Sequence, residues 1–160
     1  MGLTMKNIKS TLLAVASILL LAPAFARAEC KNPVGAVEGL LNCIEREWPI
    51  CAARGYARNF AKFHNTVDTN TSRPNAFFWW GAFLFVDFKL DIDHIALVDD
   101  NVVSVRYVET VSFRDGEEFL QHEHALVSLD DSCRLTLWDQ YGDNQEQVAV
   151  DEKMKSLFPF

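Results

Sequence analysis

The sequence predicts an α+β domain in which N-terminal helices pack in a strongly curved antiparallel sheet. Three observations carry this. Val34, Val37, Leu40, Leu41 and Ile44 recur at three- and four-residue steps, the spacing of an amphipathic helix. Ala76–Leu90 is apolar almost all round, with Phe77, Phe78, Trp79, Trp80, Phe83, Leu84, Phe85, Val86 and Phe88. From Asp91 onward the hydrophobic period shortens to two, and short polar turns separate the runs.

Ahead of these elements stands a secretory leader. Met1–Lys9 is basic through Lys6 and Lys9, an apolar stretch runs from about Leu12 to Leu21, and Pro23 precedes the small-residue site Ala26-Arg27-Ala28. Cleavage after Ala28 leaves residues 29–160, which is 132 of the 160 and suits one domain with one core. It removes three cations and no acid, taking the net charge from −7 to −10. The product is expected to be secreted or periplasmic. No later segment offers eighteen uncharged apolar residues, so no membrane partner is expected once the leader is gone. An acidic chain without a Lys/Arg cluster lacks the electrostatic footprint for a phosphate backbone, so nucleic acid is not expected either.

The elements follow in order. Pro33 suits the first turn of a helix that runs to about Glu47, where Pro49 stops it. A second helix is predicted from Ile50 to His64, with Tyr56, Phe60 and Phe63 on one stripe. Asn65–Asn75 has loop chemistry and contains the sequon Asn70-Thr71-Ser72. Periodicity does not separate a buried helix from a buried strand in the run that follows, but its length favours a helix for Ala76–Val86 at least. Strands then follow at Ile92–Val98, Val102–Phe113, Glu117–Leu129 and Arg134–Tyr141, with turns at Asp99-Asp100-Asn101, Arg114-Asp115-Gly116 and Asp130-Asp131-Ser132.

Four cysteines, Cys30, Cys43, Cys51 and Cys133, all lie beyond the leader. An even number in an exported chain favours two disulfides over zinc, for which no C-x-x-C pair is present. Three pairings are open. Cys43 and Cys51 flank the Trp48-Pro49 break and are placed to staple a helical corner. Cys30 beside the new N-terminus is then left to reach Cys133 in the last turn.

The segment FLQHEHALVSLDDSCRLTLWDQYGD (Phe119–Asp143) and the strand VVSVRYVETVSF (Val102–Phe113), set behind a helical half, resemble the SnoaL-like branch of the nuclear transport factor 2-like superfamily. The resemblance implies a cone, a bent sheet wrapped around helices that encloses an apolar pocket. It also implies a homodimer paired through the outer face of the sheet. The superfamily includes isomerases, cyclases and dehydratases as well as binding proteins, so the fold leaves function open.

Two classes of function are expected on this basis. One is a binding protein that holds a small apolar molecule without a cofactor, lined by Trp79, Trp80 and Phe83 with Trp138 of the last strand. The other is a cofactor-free isomerase, cyclase or dehydratase working by acid–base chemistry. Its candidate groups are His122 and His124, which share one strand face, with Asp139 on the next strand and Tyr107 as a hydrogen-bond donor to a substrate oxygen. The resemblance supports a carboxylate role for Asp139; the plainer alternative pairs Asp139 with Arg106 or Arg134. His122-x-His124 also has the form of a metal pair, with His94, Glu118 or Asp139 as third ligand, but nothing fixes that ligand and no metal is assigned. His64 is expected to cap a helix or to stand at the pocket rim.

Overall fold

Asn32 starts the first helix, its Oδ1 accepting the N–H of Gly35 at 3.0 Å, and Pro33 fills the first turn. This computed structural model describes residues 30–157; the proposed leader lies outside the described residues. Helix α1 spans Pro33–Glu45 and buries Val37, Leu40, Leu41 and Ile44, the predicted stripe. Glu47, at a φ of 55°, turns the chain into the short helix α2, Pro49–Arg54. A Cys43–Cys51 disulfide staples this corner. Gly55 ends α2 in a tight place, because a Cβ there would come within 2.7 Å of Leu40 Cδ1.

Beyond Gly55 the structure corrects the sequence reading. Tyr56–His64 is strand β1, not the continuation of a helix. Its partner is distant: β1 runs parallel to the last strand, and the N–H of Leu135 donates to the Gly55 carbonyl at 2.8 Å. The short β2, Val67–Asp68, pairs beside it.

Asn75 caps helix α3, Ala76–Phe85, by accepting the N–H of Phe78 at 2.9 Å. This is the predicted third helix. Val86 takes up extended backbone at once, so strand β3 covers Val86–Asp99, longer than Ile92–Val98. Strands β4 (Val102–Phe113), β5 (Glu118–Leu129) and β6 (Leu135–Gly142) complete the antiparallel meander. The sheet has six strands in the order β2-β1-β6-β5-β4-β3, and β1–β6 is its parallel pair. A Cys30–Cys133 disulfide ties the start of the described chain to the β5–β6 turn.

Helices α1 and α3 fill the concave side. Val37, Leu40 and Leu41 meet Trp79 and Phe83 of α3 and the inward residues Val103, Val105, Ala125, Val127 and Leu135 of the sheet. A final helix, α4 at Asn144–Leu157, was not legible in the sequence. It buries Val150 against Val86, Val111 and Phe113, with Met154 and Leu157 packed around them. Lys153 ties it to Asp115 and Glu117.

Candidate functional site

Alternation along β4 and β5 decides which side chains enter the cone. The inward set on β5 is Gln121, Glu123, Ala125, Val127 and Leu129, all buried. On β4 it is Val103, Val105, Tyr107, Glu109, Val111 and Phe113. Leu135, Trp138 and Gln140 are the buried members from β6. Polar groups thus interrupt the apolar lining at one level, where Tyr107 faces Glu123 and Glu109 faces Gln121 across the β4–β5 ladder.

A cavity of about 440 Å³ opens at this level. Phe78, Trp79 and Phe88 make its aromatic wall, Val111 and Val150 add apolar surface, and Glu109, Gln121, Gln140 and Lys62 supply polar groups. The wall is built edge to face and by stacking: Trp79 stands 5.4 Å from Phe83 and 6.3 Å from Phe88, ring centre to ring centre. Gln147 of α4 reaches over the cavity. Its Oε1 accepts from Gln121 at 3.4 Å and Gln140 at 3.2 Å, while its Nε2 donates to Asp151 at 2.8 Å. A wider groove of about 630 Å³ between β1–β2 and α4 shares Lys62, Thr69, Thr71, Gln147 and Asp151 with the cavity and forms its mouth.

Burial sets the electrostatics here. It raises the Glu109 carboxyl above the usual carboxylate range, and Lys62 opposes the shift. Glu123 is pushed up to about 7, first by burial, with Glu109 and Glu146 adding repulsion against the pull of Gln140 and Lys62. Tyr107 is held well above the ordinary tyrosine value, mainly by burial, while a hydrogen bond from Trp138 lowers it. Glu123 Oε2 and Trp79 Nε1 are buried without a hydrogen-bond partner in the protein. The cavity therefore holds a carboxyl group that burial makes easier to protonate, Glu109, together with Trp79, an arrangement that suits a ligand with a carbonyl or hydroxyl group.

Several predicted site residues stand elsewhere. His122 and His124 do share one strand face, but it has the parity opposite to the inward set and is the outer face of the sheet. His122 is 66% exposed and meets Glu146 Oε1 at 3.2 Å; His124 bonds Ser104 at 2.9 Å. Asp139 also faces outward and accepts from Tyr141 at 2.6 Å. It pairs with neither predicted arginine, since Arg106 binds Asp93 and Arg134 binds Asp130. Trp80 points into solvent from the far side of α3 and does not line the cavity. Phe83 backs Trp79 inside the core.

Other residues do come together. Trp79 lines the cavity, whereas Tyr107 and Trp138 lie edge to face at 6.3 Å in the core and are not among its lining residues. His64 stands at the rim, bonded to Asn144 at 3.0 Å, at the end of a strand. The sequence reading missed Glu123, Gln121, Gln140, Gln147 and Lys62. The signal for two of them was available, because Ala125, Val127 and Leu129 fix the inward parity, and stepping back by two reaches Glu123 and Gln121. Among the described residues no group of three His, Cys, Asp or Glu side chains is placed to hold a metal ion.

Solved structures share this architecture. An LEH-like epoxide hydrolase of M. tuberculosis superposes with a TM-score of 0.61 at 18% identity, over 81% of this chain and 97% of that one. A protein from Shewanella denitrificans described as a SnoaL-like polyketide cyclase gives 0.61 at 12% identity, over 78% and 99%. An NTF2-like protein of unknown function from Cytophaga hutchinsonii gives 0.53 at 15% identity, over 72% and 94%. No family model matches the chain. No curated protein matches it in sequence. The shared feature is the fold, an α+β cone of the NTF2-like kind.

Proposed function

We propose that the chain holds a small, mostly apolar organic molecule in the cone and fixes it through one polar group. The observation that carries this reading is the cavity itself, where the wall of Phe78, Trp79 and Phe88 stands across from Glu109 and two glutamine amides. Apolar walls supply affinity and a few convergent polar groups supply orientation. Structural neighbours described as an epoxide hydrolase and a polyketide cyclase support a pocket for small organic compounds. The leader and the two disulfides support a site of action outside the cytoplasm.

Native mass spectrometry of the protein exported from its own leader tests the reading. A retained organic molecule at one per chain is expected, and Val111→Trp, which fills the cavity, should expel it. Retention unchanged in a folded Val111→Trp variant would refute the cavity as the site. The same spectrum reports whether two copies pair.

The raised Glu109 carboxyl favours a second reading, acid–base chemistry on that molecule. A neutral Glu109 would donate a proton to the ligand's oxygen and take one back from its carbon skeleton. Glu109→Gln should then keep the ligand bound while turnover falls about a hundredfold or more. Turnover unaffected by that change would leave binding as the whole function.

A further inference from the structure

Helix α3 has no charged or hydroxyl side chain in its ten residues, yet only Trp79, Ala82 and Phe83 are buried. Phe77, Trp80 and Leu84, spaced by three and four, form the opposite stripe and are 89%, 59% and 68% exposed. Trp48 and Ile50 extend this surface from the α1–α2 corner, and both are more than half exposed. Trp48, Ile50, Arg54 and Trp80 line an open groove of about 440 Å³. An apolar patch of this kind marks a surface that something covers.

Charge identifies the occupant. The chain carries −7, but arginines border this face. Arg46 lies over the Trp48 ring at 5.6 Å, Arg54 enters the groove, and Arg73 holds the Ala53 carbonyl at 3.2 Å. Arg114 sits at the other end of α3, on the Phe83 carbonyl at 3.4 Å. Acids stand here too: Asp87 pairs with Arg114 at 2.9 Å, which leaves Arg46, Arg54 and Arg73 as the cations facing outward from this surface, while Glu47 bonds Asp87 and Glu45 accepts from the Leu90 N–H. A second copy would set these arginines against their own kind. The complement of an apolar stripe ringed by arginines is an apolar layer beneath negative headgroups.

We propose that this face docks on an anionic lipid bilayer, with Phe77, Trp80, Leu84, Trp48 and Ile50 entering the interface and the arginines meeting the headgroups. Tryptophan and arginine both suit that boundary, since each joins an apolar body to a polar end. No described helix is long and apolar enough to cross a membrane, and the proposed contact is a surface one. This revises the expectation that no membrane partner remains after the leader. The adjoining Phe78 lines the cone's cavity, so docking brings its aromatic wall beside the lipid.

The test is flotation of the exported chain, purified from the soluble fraction, with vesicles of phosphatidylcholine alone or mixed with phosphatidylglycerol. Binding to the mixed vesicles is expected, with a blue shift of tryptophan emission and loss at high salt. Phe77→Ser and Trp80→Gln change only exposed side chains, and each should weaken binding about tenfold. Near-UV circular dichroism checks that they keep the fold, and Arg54→Ser offers a second route through charge alone. Failure to float on anionic vesicles would overturn the proposal, as would equal binding to neutral ones. Flotation that these folded variants leave intact would also overturn it. So would a dimer that the same substitutions dissociate, because a second copy would then cover the face.

Discussion

The Glu123 carboxylate lies against the backbone of Gly142, its cross-strand partner, so closely that a Cβ at 142 would come within 2.5 Å of Oε2. The glycine is required by this approach and not by a turn. Gly142→Ala should cost about 1–3 kcal/mol by forcing the carboxylate aside. Combining it with Glu123→Ala empties the contact and should remove most of that penalty. Chemical denaturation of the four chains gives the coupling, and equal penalties in both backgrounds would show that the two residues do not oppose each other.

Glu123 also gives the domain a pH dependence of known sign. Its carboxyl rises from 4.5 to about 7 in the folded chain. The native state therefore binds more protons than the unfolded one inside that window, and stability falls as pH rises through it. Glu123→Gln should melt a few degrees above the parent at about pH 8 and close to it at about pH 5. A variant with the parent's full slope between those values would remove Glu123 as the source.

The two disulfides should differ in weight. Cys30–Cys133 spans 103 positions and Cys43–Cys51 spans 8. Chain-entropy arguments put the long link near 4–5 kcal/mol and the short one near 2–3. Paired cysteine-to-serine variants, compared by urea unfolding, should follow that order. The reverse order would point to structure that the unfolded chain retains around Cys133.

The outer-face histidines should matter little to the cavity. His122 makes an exposed contact with Glu146, and such pairs contribute under about 1 kcal/mol. His122→Ala and His124→Ala are expected to leave ligand retention unchanged and to shift the melting temperature by no more than a few degrees. A ligand lost in either variant would move the functional site to the other side of the sheet.

The parts of the fold that the sequence shows plainly are those whose pattern is local. Pro33, Pro49 and the Val37–Ile44 stripe place α1, and the period of two places β4 and β5 nearly to the residue. Strand β1 is different. Ala57, Arg58, Ala61 and Lys62 favour a helix, and only pairing with β6, more than seventy residues away, makes Tyr56–His64 extended. Helix α4 buries a single residue, Val150, so its polar sequence carries almost no stripe to find. The polar level of the cone was hidden for a related reason. Glu123 and Gln121 occupy inward positions that alternation normally gives to apolar residues, while the chemically conspicuous histidines beside them stand on the outer face.

Because β1 has only the two-residue β2 beside it until β6 is made, this edge cannot join the rest of the sheet until residues 135–142 exist as chain. The Cys30–Cys133 link has the same requirement. The β3–β6 meander, by contrast, joins neighbours through short turns. Assembly therefore runs against the direction of synthesis: the later half of the sheet forms from local contacts, and the earliest residues join last, after a long loop has closed. A ribosome-bound fragment ending before residue 135 would hold the β3–β5 meander and leave β1 without the strand that joins it to them.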